Sequence, residues 1–304
     1  IIDCNINVKW IDYYKFQEMT LMLKIFGKIV KGIIKILTFL LVFSFVVGYY
    51  AIKIEPYLVK TKDVIIQTKF YDKIKVVQIS DIQISKNYTI DNFRKVIDTI
   101  NEENPDIVLF TGDLYENYAE YRDDQNLIEA LASIQSTYGK FAVWGNRDYG
   151  GGASREYEKI MEQGGFQVLC NEYAVITFDM EEEILIAGLD DALLGNPDVQ
   201  WMADPEMLKE KQFSILLIHE PDTADLYADM GFDLILSGHS HGGQVKIPFL
   251  PQIKTSMAEK YVDGMYHLND KTDLYVNSGI GTSHYPIRLG VIPEVTAFYL
   301  EKEV

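Results

Sequence analysis

Short apolar runs alternate with polar turns through most of the chain, and one long uncharged run stands apart near its start. The short runs are 64–68, 75–79, 107–110, 141–144, 214–218 and 232–236, each rich in Val, Ile, Leu or Phe. Runs of this length and composition read as strands, most of them buried on both faces. Helical patterns separate several of them. Residues 91–103 place Phe93, Val96, Ile97 and Ile100 on one face and stop before Pro105, as an amphipathic helix should. Further helices are predicted at 125–135, 154–162 and 223–230. The β-α-β-α-β order between residues 75 and 144 predicts parallel strands joined by right-handed crossovers. Runs 175–178 and 184–187 read as a hairpin across the acidic turn 179–183, with Asp190 and Asp191 as turn and cap residues.

The long run, residues 36–52, contains no charge. As a helix at ~1.5 Å per residue it spans about 26 Å, enough for a slightly thin bilayer. Lys24, Lys28, Lys31 and Lys35 precede it and Lys53 follows. That bias places the N-terminus inside and the remainder outside. Residues 46–51 offer no small-x-small cleavage site, which favours an uncleaved anchor over a secretory signal. The expected organisation is a cytoplasmic tail at 1–35, an anchor at 36–52, a linker and first strand at 53–72, and one domain at 73–304. Residues 1–18 show no regular pattern and are set aside as upstream of the native start. The expected location is the cell membrane, single-pass, with the domain extracytoplasmic.

Charge narrows the partners. The chain carries a formal −17. Residues 1–60 hold eight Lys against four acids, which leaves −21 on residues 61–304. Phosphate-backbone binding needs clustered Lys and Arg, so no nucleic-acid partner is expected. An acidic body suits cation binding. The two cysteines, Cys4 and Cys170, give no disulfide framework and no CxxC zinc pattern.

Candidate chemistry gathers where the strands end. Run 75–79 leads to Asp81 and Gln83, run 107–110 to Gly112-Asp113, and run 141–144 to Gly145-Asn146-Arg147-Asp148. Run 214–218 leads to His219, and run 232–236 to Gly238-His239-Ser240-His241. Three of the five histidines fall within residues 219–241, and imidazole is the commonest neutral metal ligand. In parallel sheets the C-terminal strand edge is where ligands bind. Five polar clusters, far apart in sequence, can therefore converge there.

In that order the clusters resemble the calcineurin-like metallophosphoesterase superfamily, whose pattern is D-x-H, G-D, G-N-H-[DE], a lone His and G-H-x-H. The similarity runs from about Lys73 to the C-terminus. It is nearest the membrane-anchored bacterial branch, with Ile54-Glu55-Pro56 after the anchor and the closing segments 278–282, 286–289 and 293–294. The resemblance implies an α/β fold with mixed sheets, a four-layer αββα sandwich carrying a two-metal centre at its edge. One metal would take Asp81, Gln83, Asp113 and His241. The other would take Asp113, Asn146, His219 and His239, with Asp113 bridging. Two divalent ions ~3.5–4 Å apart can clamp a phosphoryl group. Mixed N and O ligands suit Mn, Fe or Zn.

Two positions depart from the family. Gln83 stands where the family has His, and an amide is the poorer partner for a borderline metal, which favours a harder ion such as Mn²⁺. Arg147 stands where the family has the His that protonates the leaving group. Arg cannot act as an acid near neutral pH, because its pKa exceeds about 12. It can still bind phosphate and stabilise charge. Arg147 and Asp148 are therefore the expected catalytic pair, with Asp148 or His284 as alternative acids and Arg288 as either a phosphate clamp or an ion-pair partner. The implied activity is metal-dependent hydrolysis of phosphodiester or pyrophosphate bonds, on envelope or lipid-linked substrates. The alternatives are a catalytically weak phospho-ligand binding protein and a phosphomonoesterase.

Overall fold

The structure, a computed structural model, describes residues 4–68, 73–178, 182–200 and 213–302. The chain divides into two units, residues 1–50 and 51–304. The first is nearly all helix. Helix α1 runs over Cys4–Lys53, so the stretch 1–18 expected to be irregular is helical from Cys4 onward. The anchor 36–52 is the apolar part of that longer helix. From 36 to 46 its side chains are exposed on every face, with Phe39, Leu41 and Phe45 more than half accessible. Among the described residues this helix is long and apolar enough to cross a membrane, with a mean hydropathy of 2.3 over its most apolar window. Such a surface is unfavourable in water by about 25 cal/mol per Å² of apolar area, which suggests membrane anchoring.

The second unit begins with a 3₁₀ turn at Glu55–Tyr57 and continues into β1 (Lys60–Thr68), longer than the predicted 64–68. In chain order follow β2 (Ile74–Ile79), α2 (Ile90–Glu102), β3 (Ile107–Phe110), α3 (Asp124–Ala132) and β4 (Gly139–Ala142). Then come α4 (Asn146–Gly150), α5 (Tyr157–Gln163), β5 (Gln167–Val168), β6 (Glu172–Thr177) and β7 (Glu183–Gly188). The turn joining β6 to β7 includes 179–181, which lie outside the described residues. The last elements are β8 (Phe213–Leu217), α6 (Ala224–Tyr227), β9 (Leu234–Ser237), β10 (Gly264–His267), β11 (Asp273–Val276) and β12 (Glu294–Lys302).

Two mixed six-stranded sheets result, ordered β1-β12-β2-β3-β4-β5 and β10-β11-β9-β8-β7-β6. Strands β2, β3 and β4 pair in parallel, as the alternating pattern requires. Strand β12 closes the first sheet by pairing parallel to β1 and antiparallel to β2. The hairpin β6–β7 is antiparallel.

Strand periodicity explains the layers. Successive side chains point to opposite faces, so Val76 and Leu109 face one way and Val77 and Val108 the other. The first pair joins Ile186, Ile215, Leu236 and Tyr275 in a core between the two sheets. The second pair joins Phe93, Val96 and Ile100 of α2, Leu127 of α3 and Ile160 of α5 on the outer face. The far face of the second sheet packs Leu216 and Ile235 against Ala224, Tyr227 and Phe232. These are the layers of an αββα sandwich.

Several boundaries differ from the pattern. Strand β4 ends two residues before the predicted 144; Val143 N still donates to Phe110 O at 3.0 Å and its side chain joins the core between the sheets, whereas Trp144 packs on the outer face, where it stacks on Tyr149 of α4 at 4.6 Å. Helix α5 starts at Tyr157 instead of 154. The predicted helix 223–230 breaks into 3₁₀, α and 3₁₀ turns and ends at Gly231 with φ +98°.

Candidate metal centre

Loops leaving the C-terminal ends of β2, β3, β4, β8 and β9 bring the predicted residues together. Five of them turn sharply: Asp81, Gln83, Asp113, His239 and His241 all have positive φ, between +50° and +67°. Non-glycine residues rarely adopt this region, and such strain gathers at functional sites. Flanking glycines make room. A Cβ at Gly238 would overlap Ser80 Oγ and Asp81 Oδ2, and one at Gly145 would overlap Asp113.

Asp113 lies at the middle. Its Oδ1 accepts the Arg147 backbone N–H at 2.7 Å and lies 3.5 Å from His219 Nε2. Its Oδ2 accepts from Gln83 Nε2 at 2.8 Å. On the Oδ2 side, His241 Nε2 lies 3.4 Å from Asp81 Oδ1 and 3.4 Å from Gln83 Nε2. On the Oδ1 side, His239 Nδ1 faces Asn146 Oδ1 at 3.0 Å. The rings of His219 and His239 are 5.0 Å apart.

Hydrogen bonds on the far ring edges fix which nitrogens face inward. His219 Nδ1 donates to Thr111 O at 2.6 Å, which turns Nε2 toward Asp113. His239 Nε2 donates to Ser256 O at 2.8 Å, which leaves Nδ1 and Asn146 Oδ1 as two acceptors in contact. Partners of this kind orient imidazole ligands in metal sites.

A cation would satisfy buried groups that make no hydrogen bond among the described residues. Asp81 Oδ1, Gln83 Oε1 and His219 Nε2 are buried without a hydrogen-bond partner among the described residues. Oxygen and nitrogen donors of Asp81, Asp113 and His219 lie within 4.8 Å of one another, as do those of His219, Glu220 and His239. Unsatisfied buried polar atoms are costly, and their convergence with facing acceptors fits divalent ions.

Electrostatics follow from burial and pairing. Burial alone would lower the His219 pKa, but the Asp113 carboxylate overrides it and holds it well above the usual range. Burial opposes ionisation of Asp113, yet His219 and the Arg147 amide pull its pKa below the usual value. Burial pushes His241 down to about 4, so it is neutral at pH 7.

The remaining expected residues divide. Arg147 lines a cavity of about 520 Å³ beside the ligand set. Its Nη2 donates to Ser283 Oγ at 2.8 Å and to His284 Nε2 at 2.9 Å. His284 lines the same cavity, and burial and Arg147 together lower its pKa. Asp148 is placed differently. It is fully buried behind the loops, and its carboxylate accepts from the backbone N–H groups of Asp113, Leu114 and Gly145, each at 2.9 Å. Arg288 forms no ion pair among the described residues and does not line the cavity. It is fully buried and donates to the carbonyls of Ser278, Gly279, Gly281 and Val291. Asp190 and Asp191 accept turn amides, as expected.

Glu220 is a group the pattern reading passed over. Its carboxyl is buried beside His219 and accepts from Ala192 N at 3.0 Å. Burial pushes its pKa up to about 8, with Asp191 adding and His219 opposing. An acid next to a candidate ligand histidine looks like any loop acid in sequence.

Comparison with known proteins bears on these groups. Residues 74–243 match the calcineurin-like phosphoesterase family. A Bacillus subtilis protein described as an uncharacterized metallophosphoesterase is 39% identical over 260 residues, 84% of this chain and 90% of its own. A phosphodiesterase of Escherichia coli is 27% identical over 74% of this chain and 82% of its own. A zebrafish (Danio rerio) transmembrane protein with a metallophosphoesterase domain is 26% identical over 75% of this chain and 53% of its own.

Proposed function

Because the chain belongs to the calcineurin-like phosphoesterase family and is a hydrolase of phosphoester bonds, we propose that it hydrolyses phosphodiester or pyrophosphate bonds at a membrane surface. The reading further assigns it two divalent ions, with Mn²⁺ favoured over Fe or Zn, and lipid-linked or envelope substrates. The observation that carries it is Asp113, whose two carboxylate oxygens face two separate donor sets.

Asp81, Gln83, Asp113 and His241 would hold one ion, and Asp113, Asn146, His219 and His239 the other. Such a pair supplies Lewis acidity toward phosphoryl oxygens and a lowered pKa for water. The chain's own residues do the rest. Arg147 presents its guanidinium to the cavity, braced by Ser283 and His284, and donates to phosphoryl oxygens where charge grows. It releases no proton at neutral pH. Burial and the Arg147 guanidinium lower the pKa of His284 beside it, so the pair is a poor source of an acidic proton for a leaving group. Substrates with stable leaving groups, such as a phosphate or an activated alcohol, suit this site best. Asp148 acts as a positioning residue by holding the Asp113 and Gly145 loops in register.

The apolar part of α1 and the name of the zebrafish relative support a membrane anchor. The lysine bias supports an outward-facing domain. One observation favours a second reading, a binding protein with weak catalysis: Gln83 offers its amide NH₂, not its oxygen, to Asp113.

Hydrolysis of bis(p-nitrophenyl) phosphate with Mn²⁺, compared between the native chain and Asp113→Asn, tests the proposal. Turnover by the native chain that Asp113→Asn abolishes supports it. Equal rates, or no turnover by either with any of Mn²⁺, Fe²⁺ or Zn²⁺, support the binding reading. A monoester hydrolysed faster than the diester points to a phosphomonoesterase.

A further inference from the structure

The loop over residues 246–254 breaks the rule that large apolar side chains are covered or scattered. Phe249 is fully exposed, and Leu250 and Ile253 are more than 60% exposed, with Ile247 beside them. These side chains crowd into seven residues, 247–253, that include Pro248 and Pro251 and no charge. Lys246 and Lys254 flank them. Contiguous exposed apolar surface rimmed by polar groups marks an interaction site.

Two observations point to what covers it. The first is charge. Residues 245–254 carry two lysines and no acid on a body whose charge is −21 over residues 61–304. An apolar tip between lysines matches the boundary between anionic headgroups and acyl chains. The second is position within the second unit. The loop leaves the bridge between Val245 and Leu289, where Lys246 N donates to Leu289 O at 2.7 Å. One residue away, Arg288 N donates to Ala51 O at 2.9 Å, and Val291 N donates to Glu55 Oε1 at 2.6 Å. Ala51 belongs to the uncharged run 36–52. The loop therefore grows from the segment that receives the chain as it leaves its apolar run.

We propose that loop 246–254 dips into the bilayer as a second membrane contact and opens the catalytic cavity toward lipid phosphoesters. Ile253 belongs to both the exposed tip and the cavity wall, where Leu193, Val245 and Ile287 continue the apolar lining. An acyl or polyprenyl chain can follow that strip while its phosphoester reaches Arg147 and the ligand set. The substrate assignment rests on the phosphohydrolase reading above, whereas the membrane contact does not.

Depth-dependent quenching tests it. The full chain, with Cys4→Ser and Cys170→Ser, is labelled with an environment-sensitive fluorophore at Phe249→Cys. It is reconstituted into vesicles of phosphatidylcholine and phosphatidylglycerol containing a spin-labelled lipid. Tyr173→Cys, on the edge strand β6, is the reference, and Leu250→Cys is a second probe of the tip. Labels at 249 and 250 should be quenched roughly threefold or more beyond the label at 173, as suits a probe about 5–10 Å into the headgroup and acyl boundary. Equal quenching at 249, 250 and 173 overturns the proposal. So does crosslinking from 249 to a second copy without quenching, which would place another protein there. Hydrolysis of bis(p-nitrophenyl) phosphate by the same labelled samples reads the phosphohydrolase assignment separately.

Discussion

Gln83 Nε2 donates to Asp113 Oδ2 at 2.8 Å, so one position in the ring of candidate ligands offers protons where its neighbours offer lone pairs. The Gln83 Oε1 is buried without a partner among the described residues. A half-turn of the amide exchanges the two ends and presents an oxygen to the same space. Without a cation that state sets amide oxygen against carboxylate oxygen, which is unfavourable. Of the two proposed metal sites, the one that includes Gln83 should accordingly be the weaker. Gln83→His should tighten it by roughly tenfold to a hundredfold, the scale on which metal-site partners alter affinity. Equilibrium dialysis against graded Mn²⁺ and Zn²⁺ measures this.

Arg147 shapes which substrates react. Arg147→Ala should lower turnover of a diester by about a hundredfold to a thousandfold, as removal of a charge-stabilising donor does. Arg147→His should lose part of that but regain a proton donor. Its rates should depend less steeply on leaving-group pKa, and they should fall as pH rises above the new imidazole's pKa. A series of aryl phosphodiesters measured with both variants checks the slope.

His219 should make metal uptake pH-dependent. Asp113 overrides burial and raises its pKa well above the usual imidazole value, so the metal-free site favours the protonated ring. Metal must displace that proton, and affinity should rise with pH through the raised value. Stability of the metal-free chain runs the opposite way. The folded pKa lies above the unfolded one, so the His219–Asp113 contribution is full below about pH 6.5 and fades as pH rises through the folded value. Proton release on adding Mn²⁺ to chelator-treated protein, read by an indicator dye, should fall by about one per chain in His219→Gln.

Arg288 holds a loop from inside. Replacing it with Met leaves the carbonyls of Ser278 and Gly281 without their donor, while Gly279 O keeps the Glu294 amide. The loss should be about 3 kcal/mol or more, since each buried unsatisfied group costs roughly 1–3 kcal/mol. Thermal unfolding of the metal-free native chain and Arg288→Met measures it without reference to catalysis.

Much of this site was legible in sequence because its residues fall at strand ends that short apolar runs mark clearly. Run 107–110 is buried on both faces and matches β3 residue for residue. The same signal misled at Trp144, which packs on Tyr149 of α4 and Tyr157 of α5 instead of pairing, because composition cannot separate pairing from burial. Strand β12 gave no comparable cue. Its place depends on pairing with β1 and β2, more than two hundred residues earlier in the chain. Arg288 was unreadable for a related reason. A guanidinium satisfied by four carbonyls has no partner of opposite charge to suggest it. Asp148 was read by its neighbours in sequence, whereas its three backbone contacts are set by how the β3 and β4 loops meet.

Metal content of the full chain, purified in detergent without chelator or metal-affinity resin, tests the central claim most directly. The account predicts about two equivalents of divalent metal per chain, with diester hydrolysis lost on chelation and regained with Mn²⁺. A chain that takes up no metal after soaking in Mn²⁺, or that hydrolyses the diester equally well after chelation, contradicts it.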